Sequence, residues 1–208
     1  AESISDTAIA AAESVSKLLI EMKTTAAQAM SDGFTEEQRA AFSQRYASQM
    51  ETLQSFIRNA SFDDSNILDG SKPNGVSFIA DAEANQSLTL EGRNFMPGGQ
   101  VIVAPPSTTA LNNTQAAADT HALLEQSIAN VGDQLTEMAG ERKRIEAQKG
   151  FVSRLADALA AGVGRMVDTD LAAESALIQA LQVKQELSAS AIGIANSAPQ
   201  ALLSLFRA

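Results

Sequence analysis

Twelve positions from Leu124 to Val163 follow one another at alternating steps of four and three residues, without a slip. They are Leu124, Ile128, Val131, Leu135, Met138, Arg142, Ile145, Lys149, Val152, Ala156, Leu159 and Val163, and ten of the twelve are apolar. Such a run keeps one stripe facing a partner along its whole length, so it predicts a helix packed lengthwise on other helices. Begun near Asn113, that helix runs roughly 75 Å at about 1.5 Å per residue. Gly132, Gly140 and Gly150 lie inside it, each at a cost of about 1 kcal/mol. The pattern survives them, and close backbone packing at these glycines is the expectation.

Two shorter helices precede it. Over residues 2 to 31, Ile4, Ala8, Ala11, Val15, Leu18, Met22, Thr25 and Ala29 keep the same alternation, until "SDGF" breaks it. The next helix opens at "TEEQ". Thr35 and Gln38 have capping-box spacing, and Glu36 and Glu37 suit the positive helix end. Phe42, Tyr46, Met50, Leu53 and Ile57 form its apolar stripe, and the turn residues of "NASFDDSNILDGSKPNG" end it near Asn59. Between 75 and 104 the period changes. "GVSFIAD" and "QSLTLEG" alternate as half-buried strands do, with "AEAN" to turn a hairpin, and "GGQVIVAPP" offers a third short strand. No other stretch reads as β.

After Val163, "AAGVGR" at 160 to 165 predicts a hinge, with Gly162 and Gly164 on either side of Val163. Asp168, Thr169 and Asp170 favour the start of a final helix. Leu171, Ile178, Leu181, Ile192, Ala195 and Leu202 give it one stripe; Leu177, Leu187, Ala191, Ile194, Ala198 and Leu205 give a second. No charge occurs from Leu187 to Phe206. A helix apolar all round must be buried all round. Ser, Asn, Gln and Pro199 interrupt it too often for a membrane span. Seven Leu, Ile or Phe side chains lie between Leu187 and Phe206. Leaving them in water forgoes on the order of 10 kcal/mol. Two covers are open: the chain's own bundle, or copies of the same chain.

The formal net charge is -10, and nucleic-acid binders need a basic face. The same charge argues against anionic membrane surfaces and helps keep a monomer in solution. Cysteine is absent, which excludes disulfides, thiolate catalysis and thiolate zinc sites. No catalytic constellation assembles. His121 is the single histidine and lacks an HExxH partner, so it reads as a solvated helical residue. Asp168 and Asp170 read as a helix start rather than an acid–base pair. "LEGRNFMPGG" does not open a helix after a strand, as a phosphate loop must. "ERKRIEAQK" lies beside Glu141 and Glu146 and reads as a salt-bridged face. The assignment is therefore no enzyme, no cofactor and no metal. "AESISDTAIA" has no basic region that would open a cleavable signal peptide. The chain starts without Met inside a helical pattern, and a preceding segment is expected.

The final stretch, "GVGRMVDTDLAAESALIQALQVKQELSASAIGIANSAPQALLSLFR", resembles bacterial flagellin, in particular the short alphaproteobacterial type. The matching features are Asp168, Asp170 and Glu174 at the acidic opening, the Ala/Gln/Leu-rich helix, and the step "ANSAPQ" at 195 to 200. "LLSLFR" closes it. "RNASFDDSNILDG" is similar to the family's step after its second helix: Phe62, Ile67, Leu68, Asp69 and Gly70 match, while Asp63 and Asp64 replace the usual Asn-Gly. The resemblance covers most of the chain.

It implies a mainly α fold: an elongated, rod-like antiparallel helical bundle with a small β-hairpin region, plus a C-terminal coiled-coil-type helix. Residues 1–70 would hold the first rod helices, 71–107 the outer hairpin region, 108–165 the long rod helix and 166–208 the inner-core helix. The implied function is structural: self-assembly into the extracellular flagellar filament, for motility. Leu171, Leu177, Ile178, Leu181, Leu187, Ile192, Ile194, Pro199, Leu202, Leu203, Leu205 and Phe206 would then form subunit contacts. The implied partners are other copies, hook-associated and cap proteins, an export chaperone and the flagellar type III export apparatus, with no nucleic acid and no membrane insertion. Export would need no cleaved signal peptide. The alternatives are a hook–filament junction protein and, less well matched, a secreted adhesin. One departure concerns the stretch by which a vertebrate Toll-like receptor senses the family. In "LIEMKTTAAQ", Glu21 and Thr25 stand where the family has Arg and Leu, and Arg45 stands where it has Glu. A poor receptor agonist is the expectation.

Overall fold

The computed structural model describes residues 1–81, 85–106 and 110–205, with the backbone alone for 168–170 and 196–205. Three helices carry the fold: α1 (Glu2–Ala29), α2 (Glu36–Asn59) and α3 (Thr114–Leu205). Four short strands lie between α2 and α3: β1 (Ser61–Phe62), β2 (Ser65–Asn66), β3 (Val76–Ile79) and β4 (Ser87–Leu90). The chain forms two compact units, Ala1–Phe151 and Val152–Ala208.

In the first unit, α1 and α2 form an antiparallel pair. The Thr35–Gln38 capping box is formed in both directions, with each backbone N–H donating to the other residue's side chain. Arg39 fixes the turn by donating to the carbonyls of Ala29 and Ser31 and to the Thr114 hydroxyl at the start of α3. Along α1 the buried line runs Ile4, Ala8, Ala12, Val15, Leu19, Met22, Ala26, Ala29. The expected Ala11 and Leu18 lie beside it, half-buried. The expected and observed lines share Ile4, Ala8, Val15, Met22 and Ala29; the rest of the observed line falls on Ala12, Leu19 and Ala26, one residue beyond the expected Ala11, Leu18 and Thr25, and Thr25 is buried as well. On α2, Tyr46, Met50, Leu53 and Ile57 are buried as expected, while Phe42 is half-buried and stacks on Phe34.

Asn113 opens α3, its side chain accepting from the Ala116 N–H. The helix runs antiparallel to α1. Lys23 pairs with Glu125, Asp6 with Arg142 and Glu2 with Lys149. Leu124, Val131, Met138 and Ile145 are buried, and Ile128 and Leu135 pack against them. Arg142 and Lys149, the two polar members of the seam, are the ones that carry ion pairs to α1. The basic run is thus partly an interhelical clamp. Close packing at Gly132, Gly140 and Gly150 does not occur: a Cβ on any of them meets nothing within 4 Å.

β1 and β2 form an antiparallel pair that the sequence did not announce as β structure. Their two-residue loop is Asp63-Asp64, both at positive φ (50° and 55°). That is the backbone of a type I′ turn, for which Asn-Gly is the favoured dipeptide. Replacing Asp63→Asn with Asp64→Gly should raise stability by about 1 kcal/mol, read from the urea midpoint of unfolding. Asn66 follows, buried, and ends α2. Its Nδ2 donates to the Ile57 and Arg58 carbonyls, and its Oδ1 accepts from Leu68 and Asp69 N–H.

β3 and β4 form the expected hairpin, with Val76 opposite Leu90 and Ile79 opposite Ser87. Most of the expected "AEAN" turn, residues 82–84, lies outside the described residues. Gly75 (φ +70°) and Gly92 permit close backbone contact, because a Cβ would sit 2.0 Å from the Leu90 carbonyl oxygen or 1.6 Å from that of Lys72. The expected third strand is absent. Residues 100–104 instead bind side chains of α3. Ser127 Oγ accepts from the Val103 and Ala104 N–H groups, and Asn130 Nδ2 donates to the Gln100 and Val101 carbonyls. Ile102 and Ala104 are buried there, and the buried Tyr46 hydroxyl donates to the Pro105 carbonyl at 2.8 Å. Burial pushes the Tyr46 phenol well above its ordinary pKa.

The expected hinge is also absent. Residues 160–165 are helical, Gly162 and Gly164 included, and no new helix begins at Asp168. Two glycines cost α3 about 2 kcal/mol. Neither forces a break, since glycine weakens a helix without removing a hydrogen bond as proline does. The four-and-three alternation therefore never restarts. Beyond Val163 it steps through Met166, Asp170, Ala173, Leu177, Ala180, Lys184, Leu187, Ala191 and Ile194. The stripe read as the second one of a separate helix is the continuation of the long seam.

Candidate assembly surface

The seam of α3 changes environment along its length. Leu124 and Val131 are fully buried. From Phe151 to Ala195, every described side chain is exposed. Leu171, Leu177, Ile178, Leu181, Leu187, Ile192 and Ile194 keep between 47% and 72% of their surface. The side chains of Pro199, Leu202, Leu203 and Leu205 lie outside the described residues, as does Phe206 altogether. Cover is lost just past Lys149, where the ion pair to Glu2 marks the first turn of α1. Phe151, Val152, Leu155, Leu159, Val163 and Met166 are exposed as well. The sequence reading assigns residues up to 165 to the rod body, and the exposed stretch begins among them, at Phe151.

Isolated apolar side chains on a surface are ordinary, but a contiguous apolar stripe marks a contact surface. This one is spread over two adjacent faces of the helix. Leu177, Leu187 and Ile194 lie on the seam, and Leu171, Ile178, Leu181 and Ile192 lie one step round from it. No described helix is long and apolar enough to cross a membrane.

Arg93 is the most buried cation among the described residues, its side chain 4% exposed. It donates to both oxygens of Glu141 (2.7 and 3.3 Å), to Gln134 at 2.7 Å and to the Glu91 carbonyl. This fork ties the segment after β4 to α3. Glu91, Arg93 and Gln134 also border a recess of about 640 Å³ with Asn130, Asp133 and Glu137. His121 is half-buried on α3, and no cluster of three metal-ligating side chains occurs among the described residues. Lys23 hydrogen-bonds Glu125 and holds its carboxyl below the usual range. Of the positions that depart from the receptor-sensed pattern, Glu21 and Arg45 are exposed. Thr25 is buried between α1 and α2, donating to the Glu21 carbonyl and reaching Gln49 at 3.2 Å.

Residues 121–206 match the family description "bacterial flagellin C-terminal helical region". The chain is 40% identical to flagellin FljJ of Caulobacter vibrioides over 203 residues, covering 95% of this chain and 71% of that one. It is 30% identical to a flagellin of Brucella melitensis over 210 residues, covering 97% and 73%. The fold is similar to the crystal structure of Bacillus cereus flagellin, with a TM-score of 0.57 at 18% identity, over 71% of this chain and 82% of that one.

Proposed function

Since the chain belongs to the bacterial flagellin family, of short alphaproteobacterial type, and is a structural subunit of the extracellular flagellar filament, we infer that the uncovered part of α3 is the seam by which subunits join. The observation that supports this is the exposure of the apolar stripe from Val152 to Ile194. A filament subunit must be soluble alone and insoluble in company. A net charge of -10 serves the first need, and the exposed apolar stripe of α3 serves the second. Residues 1–70 and 108–165 take the part of the rod in this reading, 71–107 the outer region and 166–208 the inner core. Leu171, Leu177, Ile178, Leu181, Leu187, Ile192, Ile194, Pro199, Leu202, Leu203, Leu205 and Phe206 are the proposed contacts.

The remaining partners are hook-associated and cap proteins at the filament ends, an export chaperone, and the type III export apparatus that carries the chain out without a cleaved signal. A chain that travels unfolded must unfold readily, and the absence of cysteine removes one class of obstacle.

The test is electron microscopy of the complete gene product after heat dissociation and reassembly, beside the same protein cut after Arg165. Long filaments from the first and none from the second are expected. Filaments from the truncated protein would sink the assignment of the seam. For the vertebrate receptor, the expected response in a reporter assay is weak, because Glu21 and Arg45 reverse the charge of exposed family positions. A full response at ordinary flagellin doses would refute it.

A further inference from the structure

Asp or Asn stands directly before glycine at Asp32-Gly33, Asp69-Gly70 and Asn74-Gly75. Glycine leaves its own backbone nitrogen open to a new bond, since no Cβ stands beside it. Such a nitrogen can attack the side-chain carbonyl carbon of the residue before it, and an amide is a better electrophile there than a carboxylate. Asn74-Gly75 is the one Asn-Gly pair in the sequence. The two aspartates are also engaged: Asp32 accepts from the Thr114 hydroxyl and Asp69 from the Ser71 N–H. Asn74 is exposed, and its side chain makes no hydrogen bond among the described residues.

Its neighbour is held. Lys72-Pro73-Asn74-Gly75 is a turn closed by the Gly75 N–H, which donates to the Lys72 carbonyl at 2.9 Å. Pro73 stands second in the turn, where its ring sets φ in advance. Packing braces the turn on both sides. A Cβ on Gly75, at φ +70°, would sit 2.0 Å from the Leu90 carbonyl oxygen, and one on Gly92 would sit 1.6 Å from that of Lys72. Glycine is therefore required at 75, and the reactive pair comes with it. While the turn is closed, the Gly75 nitrogen is tied to Lys72 and is kept from the Asn74 side chain.

We propose that Asn74 is a deamidation site gated by this turn, so that its conversion records how long the turn has been open. In the open turn, Gly75 N bonds to Asn74 Cγ. The Cγ–Nδ2 bond breaks, and Nδ2 leaves as ammonia with the proton of the Gly75 amide. Water then opens the cyclic imide at either carbonyl, giving aspartate or isoaspartate at 74. No second copy of the chain takes part, so the chemistry is independent of the filament reading. The two products differ in fit. Aspartate keeps the backbone and adds a negative charge to a recess of about 480 Å³ that Arg144 and Glu91 also line. Arg144 makes no ion pair among the described residues, so it is free to meet that charge. Isoaspartate lengthens the backbone by one methylene beside glycines that have no room for a Cβ. It should hold the turn open.

The test compares the folded protein with the same protein in guanidinium chloride, both in mildly alkaline buffer. Mass spectrometry of the tryptic peptide that holds residue 74 separates acid from amide, and isoaspartyl methyltransferase counts the isoaspartate. Conversion in denaturant, at least about tenfold slower in the folded protein, is expected. N74Q should show none at that position, because its longer side chain cannot close the same ring. P73A should leave the rate in denaturant unchanged and raise the folded rate about two- to fivefold, because the turn then opens more often. No conversion in denaturant overturns the site. Equal rates in the folded and denatured protein, or a folded rate that P73A leaves unchanged, overturn the gating by the turn.

Discussion

Arg93→Ala will lower the unfolding free energy of the first unit by about 3–5 kcal/mol, the range for removing one partner of a buried ion pair. Arg93 is held by Glu141 through both carboxylate oxygens, by Gln134 and by the Glu91 carbonyl. Glu141 is only 11% exposed at its side chain. Truncating the arginine leaves that carboxylate without a counter-ion where water reaches it poorly. The loss is local in origin and wide in effect. The backbone of Arg93 also bonds Ile67 and Gly70, so the residue joins the β1–β2 side of the structure to α3. Arg93→Lys should recover little, because an ammonium cannot reproduce the planar fork. Arg93→Met combined with Glu141→Leu should recover most of the loss, since a well-packed apolar pair often matches a buried ion pair. Urea unfolding followed by circular dichroism measures all three. An unchanged midpoint for the alanine variant would mean that the clamp contributes nothing to the fold.

The second large effect appears only in the assembled state. Leu177→Asp with Leu187→Asp should leave the free chain within about 0.5 kcal/mol of wild type, because both side chains are more than half exposed there. In the filament the same pair forgoes about 1.5–3 kcal/mol per side chain, before any cost of burying the carboxylates. The critical concentration should therefore rise by two orders of magnitude or more. Pelleting of reassembled filaments against subunit concentration reads it. A doubly substituted protein that polymerises normally would show that these residues are not in the seam.

Much of this architecture was legible in the residues, and the parts that were not have identifiable physical reasons. Long amphipathic periodicity is a strong signal, so α1, α2 and the body of α3 were readable, as was the Thr35 capping box. The β3–β4 hairpin was legible from its alternation. The β1–β2 pair was not, because a two-residue strand has no period and Asp63-Asp64 is an unusual dipeptide for its turn. Residues 100–104 had the composition of a strand, but their backbone groups found Ser127 and Asn130 on a helix instead of another strand. That choice depends on tertiary proximity, which no local pattern contains. The glycines at 162 and 164 were over-read as a break. Once the helix is seen to continue, two stripes of uncertain relation become one seam with a neighbouring face. The apolar character of the candidate surface was plain from composition. Its extent back to Phe151 was not, since the seam looks the same on both sides of the point where α1 stops covering it.

Tyr46 is the only tyrosine, and the chain has no tryptophan. Its ring is fully buried in the first unit, with the hydroxyl on the Pro105 carbonyl. The tyrosine emission of this chain therefore comes from one ring, at the junction of α2 with the loop that leads into α3. It reports on that junction and is blind to residues 152–208. Far-ultraviolet dichroism, by contrast, counts helix everywhere. The two optical signals divide the molecule along the boundary between its two units: emission follows the first alone, and the dichroism left over follows the second.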